Sequence, residues 1–158
     1  LATFYADCVP LFFIDTKKKA IGLSHSGWRG TVGRMGQRTL EAMYQAFGTK
    51  PEDVTAAIGP SICQACYEVS EDVAEAFRKA FRGPGQADAL LIDKGKGKYQ
   101  LDLWRANRIV LEEAGVLADK IQVTDVCTCC NPDYLFSHRA SQGKRGNLGA
   151  FLGLLPAN

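Results

Sequence analysis

The segment between residues 9 and 26 restricts the possible folds more than any other. Two apolar runs, Val9–Asp15 and Ala20–Ser26, flank a short polar stretch, Lys17-Lys18-Lys19. Runs of this length around a polar turn predict a β-hairpin. The period then changes. Val32, Met35, Leu40, Met43, Tyr44 and Phe47 recur at roughly helical spacing and predict a helix over residues 31–47, capped by Thr31 and ended by Gly48. Strands are predicted at Thr55–Ile58 and over residues 67–69, 121–126 and, more weakly, 150–155. A second helix is predicted over residues 71–81 behind Ser70 as cap. A third opens at Asp102, uses Leu103, Ala106, Ile109, Val110 and Leu111 as its apolar positions, and ends at Gly115. Residues 90–93 precede an expected loop carrying Lys94, Lys96 and Lys98, and residues 131–147 read as a polar surface loop. Strands and helices mix without strict alternation, so the predicted class is α+β, with layered mixed sheets and flanking helices, rather than a doubly wound sheet.

At 158 residues the chain suits one domain with a core of ordinary size, expected over residues 1–158. It opens on Leu1 directly into a predicted strand, so a further N-terminal segment is expected to precede it. With 46% apolar and 23% charged residues, disorder is excluded for most of the length. A net charge of +2 gives no electrostatic case for nucleic acid or an anionic membrane. The longest apolar stretch, residues 9–14, is too short to span a bilayer, and no secretory leader pattern is present. Oligomeric state leaves no signature in the sequence. The six cysteines stand at positions 8, 63, 66, 127, 129 and 130. Cys129 and Cys130 are adjacent and do not readily bridge to each other without strain. Free or metal-bound thiols in a reducing, cytoplasmic setting are expected.

Chemistry concentrates in two blocks, Ala6-Asp7-Cys8-Val9-Pro10 and His25-Ser26-Gly27-Trp28-Arg29-Gly30. Cys8 starts one predicted strand and His25 ends the next, so antiparallel pairing returns both to one end of the hairpin. A thiol and an imidazole facing one pocket serve either zinc ligation or nucleophilic catalysis with histidine as base. The plainer alternative is a small core cysteine and a hydrogen-bonded turn histidine. Arg29, with the amides of a following helix start, is a candidate anion site; a surface salt bridge is its other reading. Cys63-Gln64-Ala65-Cys66 and Cys127-Thr128-Cys129-Cys130 make a four-sulfur site conceivable. They lack the tight pairing of a zinc ribbon, so several of these thiols are expected to pack as apolar residues. His138 and the basic turn Lys144-Arg145 are expected to face solvent.

Together with Ile58-Gly59-Pro60-Ser61-Ile62, Tyr67-Glu68-Val69, Cys127-Thr128 and Phe136-Ser137-His138-Arg139, these blocks resemble the YlmD/YfiH family over nearly the whole chain. The family was once described as laccase-like polyphenol oxidoreductases. It is now described as purine nucleoside phosphorylases with adenosine deaminase activity. The resemblance implies a YfiH-like fold and zinc, with copper as the other metal. It also implies phosphate and purine nucleosides (adenosine, inosine, guanosine, methylthioadenosine) as small-molecule substrates. Cys8 and His25 correspond to two of the family's three metal ligands and to its catalytic centre; the third, an upstream histidine, has no counterpart here. Relatives carry Thr-Gly-Arg where this chain has Arg145-Gly146-Asn147.

In the expected chemistry zinc activates water for attack on C6 of adenine, or phosphate attacks the ribose C1′ while Arg29 holds it. Three readings compete. A copper oxidase needs many imidazoles, and the chain has two histidines. A metal-free hydrolase would use Cys8 as nucleophile and His25 as base. A non-catalytic zinc- or partner-binding module would show no nucleoside turnover.

Overall fold

The computed structural model describes residues 1–155. From the N-terminus, β1 (Ala2–Tyr5), β2 (Val9–Asp15) and β3 (Ala20–Ser26) lead into α1 (Trp28–Val32) and α2 (Met35–Phe47). There follow β4 (Thr55–Ile58), β5 (Glu68–Ser70), α3 (Glu71–Ala80), α4 (Gln86–Leu90), β6 (Leu91–Gly95) and β7 (Lys98–Leu101). The last elements are α5 (Leu103–Glu113), β8 (Ile121–Val123) and β9 (Leu148–Phe151).

The hairpin forms where the sequence predicts it, β2 against β3, in register from Val9 opposite Ser26 to Asp15 opposite Ala20. Asp15 closes the turn: its Oδ1 accepts hydrogen bonds from the Lys17 and Lys18 amides at 2.9 and 3.0 Å. Along β2, Val9, Leu11 and Phe13 are buried while Ile14 is exposed, the alternation of a sheet covered on one face. β4 pairs with the other edge of β2 and β8 runs parallel to β4, giving the order β3-β2-β4-β8.

Two glycines let α2 pack closely, one against the sheet and one against α5. A Cβ at Gly22 of β3 would stand 2.6 Å from the Met43 sulfur, and one at Gly36 of α2 would stand 2.9 Å from Leu111 Cδ2 on α5. A second sheet, β5-β7-β6, carries α3, whose Val73, Ala74 and Phe77 are buried in the same core. β1 and β9 form a third, two-stranded sheet. The architecture is α+β with layered sheets and flanking helices, as expected. No described helix is long and apolar enough to cross a membrane.

Five expectations require correction. The helix over residues 31–47 is two helices, because Arg34 takes a left-handed conformation (φ 58°) that breaks the hydrogen-bond ladder. Thr31 is therefore not a cap; it lies inside α1, buried, with its hydroxyl on the Gly27 carbonyl at 3.0 Å. The loop carrying Lys94, Lys96 and Lys98 is the tip of a hairpin, β6–β7, turned by Gly95, Lys96 and Gly97 at positive φ. Lysines on a sheet edge have the composition of a loop, which hides the strands. The predicted strand over residues 121–126 stops at Val123, and the one over 150–155 is shifted to Leu148–Phe151.

Asn107 of α5 sits at the junction of sheet and helices. Its Oδ1 accepts a hydrogen bond from Ser26 Oγ at 2.8 Å. Its Nδ2 donates to Thr31 Oγ1 at 3.1 Å and to the Leu103 carbonyl at 2.9 Å. All three side chains are buried, so the bonds form out of reach of competing water. Replacing Asn107 by Ala is expected to destabilise the protein by roughly 1–3 kcal/mol in urea denaturation, since hydroxyls at 26 and 31 lose buried partners. A loss below about 0.5 kcal/mol, the range of ordinary surface substitutions, would remove Asn107 from this role.

Candidate active-site cleft

The hairpin sets Cys8 and His25 at the same end of the sheet. Pro10 lies directly opposite His25, and side chains two residues apart on a strand share a face. Cys8 lies in the bend just before β2, two residues before Pro10, and its sulfur packs against Gly27, two residues after His25. Gly27 makes room for it: a Cβ there would lie 2.8 Å from Cys8 Sγ. The thiol is half-buried over the end of β3, while His25 keeps an exposed side. Burial, and then the Asp7 charge, push the Cys8 thiol above its ordinary range; Arg145 pulls it back in part. Burial lowers the pKa of His25, against a smaller upward pull from hydrogen bonding to the Phe4 backbone. The neutral imidazole, which is the form that ligates metals, is favoured, and the Tyr5 ring meets it edge-on at 6.5 Å.

Next to Cys8, the Asp7 carboxylate is fully engaged. Oδ1 accepts from Thr128 Oγ1 at 2.6 Å and Oδ2 from the Arg139 amide at 2.8 Å. These bonds draw two distant loops against the start of β2 and close a cleft of about 160 Å3 beside Cys8. Its walls include Ile62, Tyr67, Leu103, His138 and Arg139. Arg139 braces one wall, donating to the Cys66 carbonyl at 3.0 Å and the Glu68 carbonyl at 2.9 Å, with its guanidinium 5.5 Å over the Tyr67 ring. Burial, and then the Cys8 charge, push the Tyr67 hydroxyl up to about 12 against the pull of Arg139 and Arg29, so the phenol stays protonated.

The sequence-predicted residues divide around this cleft. Cys8 lines it; His25 and Arg29 are not among its walls. Arg29 stacks on Trp28 with its guanidinium 4.2 Å from the ring, and no carboxylate pairs with it among the described residues. The helix that holds it starts at Trp28 and has only five residues, so little helix dipole is available beside the guanidinium. His138, expected to face solvent, is exposed yet forms part of the cleft wall.

Two features differ from the sequence-based expectation. Arg145, expected to be a solvated turn residue, is half-buried, its charge reaches Cys8, and its Nε is buried with no hydrogen-bond partner among the described residues. No local pattern announces it; only the return of the loop to β2 does. The second is the cysteine arrangement. Cys129 packs against the core as expected of an apolar thiol. Cys63, Cys66, Cys127 and Cys130 instead converge, all four sulfurs within 4.8 Å of one another. The pairing signal was present, since residues 127 and 130 repeat the spacing of 63 and 66, but Cys129 obscured it.

A family model described as "Multi-copper polyphenol oxidoreductase laccase" matches residues 1–155. The purine nucleoside phosphorylase YlmD of Bacillus subtilis is 41% identical over 157 residues, covering 99% of this chain and 55% of the relative. An adenosine deaminase, RL5, from an unknown prokaryotic organism is 42% identical over 134 residues, covering 85% of this chain and 50% of that protein. The crystal structure of YlmD from Geobacillus stearothermophilus superposes with a TM-score of 0.90 at 37% identity, covering 97% of this chain and 56% of that one. The chain thus spans about half the length of the curated relatives it matches.

In metal-free protein, Cys8 is expected to be alkylated by iodoacetamide more slowly than free cysteine at neutral pH, because its raised pKa leaves less thiolate. The rate should climb into the alkaline range, read by quantitative peptide mapping. Alkylation faster than free cysteine at neutral pH would indicate an activated nucleophile instead.

Proposed function

Because this chain belongs to the multi-copper polyphenol oxidoreductase laccase family, in its YlmD/YfiH branch, we propose that it is a zinc-dependent purine nucleoside phosphorylase with adenosine deaminase activity. The observation that supports this reading best is the β2–β3 register, which sets His25 opposite Pro10 at the end of the hairpin where Cys8 precedes β2 and lines the cleft. Thiolate and neutral imidazole are donors that zinc prefers, and they supply two of the three protein ligands typical of a catalytic site. A histidine preceding Leu1 is the expected third. Zinc held there supplies Lewis acidity at the purine or at water.

The remaining work falls to residues of this chain. Arg29, free of carboxylate partners among the described residues, binds phosphate through charge-assisted hydrogen bonds. Ile62, Leu103 and Tyr67 present apolar surface that keeps water from the reacting sugar. At about 160 Å3 the cleft is smaller than the roughly 300–1,000 Å3 of most small-molecule sites, so it seats part of the nucleoside rather than all of it. Adenosine, inosine, guanosine and methylthioadenosine are the proposed substrates. The cytoplasm, where these thiols stay reduced, is the proposed location. Residues 1–158 act as one domain of the native protein.

The raised Cys8 pKa disfavours the metal-free hydrolase, which needs a readily formed thiolate. The family description keeps one copper reading in view: a single copper on Cys8 and His25 giving weak phenol oxidation. Oxygen uptake with a phenol, compared in zinc-only and copper-loaded protein, separates the two.

The deciding experiment is metal analysis of the native full-length protein together with phosphate-dependent turnover of inosine and adenosine. Cys8→Ser and His25→Ala are each expected to abolish turnover and release the catalytic metal. Arg29→Ala is expected to raise the KM for phosphate by about ten- to a hundred-fold, the value of a charge-assisted hydrogen bond, with a smaller change in kcat. Phosphate dependence unchanged by that substitution would remove Arg29 from the mechanism, and wild-type protein without nucleoside turnover would remove the reading itself.

A further inference from the structure

Cys63 caps and Cys66 ends a one-turn 3-10 helix, Gln64–Cys66, whose geometry brings positions three apart onto one side. Facing them, the turn at residues 127–130 presents Cys127 and Cys130 with the same spacing and sends Cys129 toward the core. The two segments are held together by backbone. Ser61 and Cys127 form a parallel bridge, and the Thr128 amide donates to the Ser61 carbonyl at 3.2 Å.

We propose that Cys63, Cys66, Cys127 and Cys130 bind one zinc ion in a tetrahedral all-sulfur site, separate from Cys8 and His25. A Zn–S bond of about 2.3 Å sets the edge of such a tetrahedron at roughly 3.8 Å. Cys66 and Cys130 sulfurs stand 3.4 Å apart, Cys63 and Cys130 sulfurs 4.0 Å, and no pair exceeds 4.8 Å. Cys130 approaches both members of the first pair, and all four sulfurs lie close together. Two disulfides would need the sulfurs matched two by two and would give no reason for that convergence.

The surroundings suit thiolates. The amides of Cys63 and Cys130 both point at Cys127 Sγ, at 3.3 and 3.4 Å, where they stabilise negative charge on sulfur. Binding exchanges four S–H bonds for four S–Zn bonds and releases the protons to solvent; nothing is oxidised or reduced. Four protein ligands leave no open position, so the ion is structural. It joins the loop after β4 to the loop after β8, and Asn131 Nδ2 on the Cys127 carbonyl (2.7 Å) and Arg139 on the Cys66 carbonyl extend that joint to the cleft wall.

The test uses the full chain, purified under reducing conditions, stripped of metal and titrated with Co2+ and then Zn2+. Expected are intense thiolate-to-cobalt charge-transfer and tetrahedral d–d bands that zinc displaces. Cys129→Ser and Cys8→Ser should keep them, and in the Cys8→Ser background, where the other site has no thiolate, Cys63→Ser and Cys130→Ser should each lose them. Cys130 is exposed, so serine there should leave the fold intact, as circular dichroism will show. Cobalt–thiolate bands that persist in Cys8→Ser protein also carrying Cys63→Ser or Cys130→Ser, or a Cys66–Cys130 disulfide in thiol-blocked peptide maps of the reduced preparation, would overturn the proposal. Bands intact in a Cys8→Ser protein that has lost nucleoside turnover would show the two metal sites to be independent.

Discussion

The buried amide of Asn107 organises the end of the hairpin. It meets Ser26 at the last residue of β3, Thr31 inside α1 and the backbone of its own helix α5. Between Ser26 and Thr31 lie Gly27, against which the Cys8 sulfur rests, and Arg29. The chain leaves the sheet and enters the helical layer within those few residues, and buried hydroxyls there would be left wanting without an amide of matched donors and acceptors. Hydrophobic contact alone would tolerate sliding of helix over sheet. Directional bonds in a dry interior do not, and the site inherits that rigidity.

The hairpin and α5 were legible in the sequence because each carries its own period, and the period matches the face it buries. Val9, Leu11 and Phe13 alternate; Leu103, Ala106, Val110 and Leu111 wind. The break at Arg34 was not legible, since a left-handed arginine has no compositional mark and the apolar spacing runs through it. The β6–β7 hairpin was hidden for the opposite reason: its lysines are those of a loop while its pairing with β5 is that of a sheet. Local composition reports solvent exposure, and exposure does not separate an edge strand from a coil.

At the site the division is similar. The placement of Cys8 and His25 at one end of the hairpin followed from its register, which is local. The cleft wall formed by His138 and Arg139, the approach of Arg145 and the convergence of Cys63 and Cys66 with Cys127 and Cys130 depend on contacts across more than sixty residues of chain. No periodicity encodes such returns. Apolar packing and the Asp7 carboxylate bring them about, and they become visible only with the fold complete.

Asp7 joins more than it stabilises. One carboxylate oxygen grips the loop at Thr128 and the other the loop at Arg139, while the next residue along the chain is Cys8. Two stretches of irregular backbone, which separately would drift on the timescale of surface loops, are yoked to a single rigid lever at the mouth of the central strand. Whatever tightens one of them is felt by the other, and the thiol sits at the fulcrum.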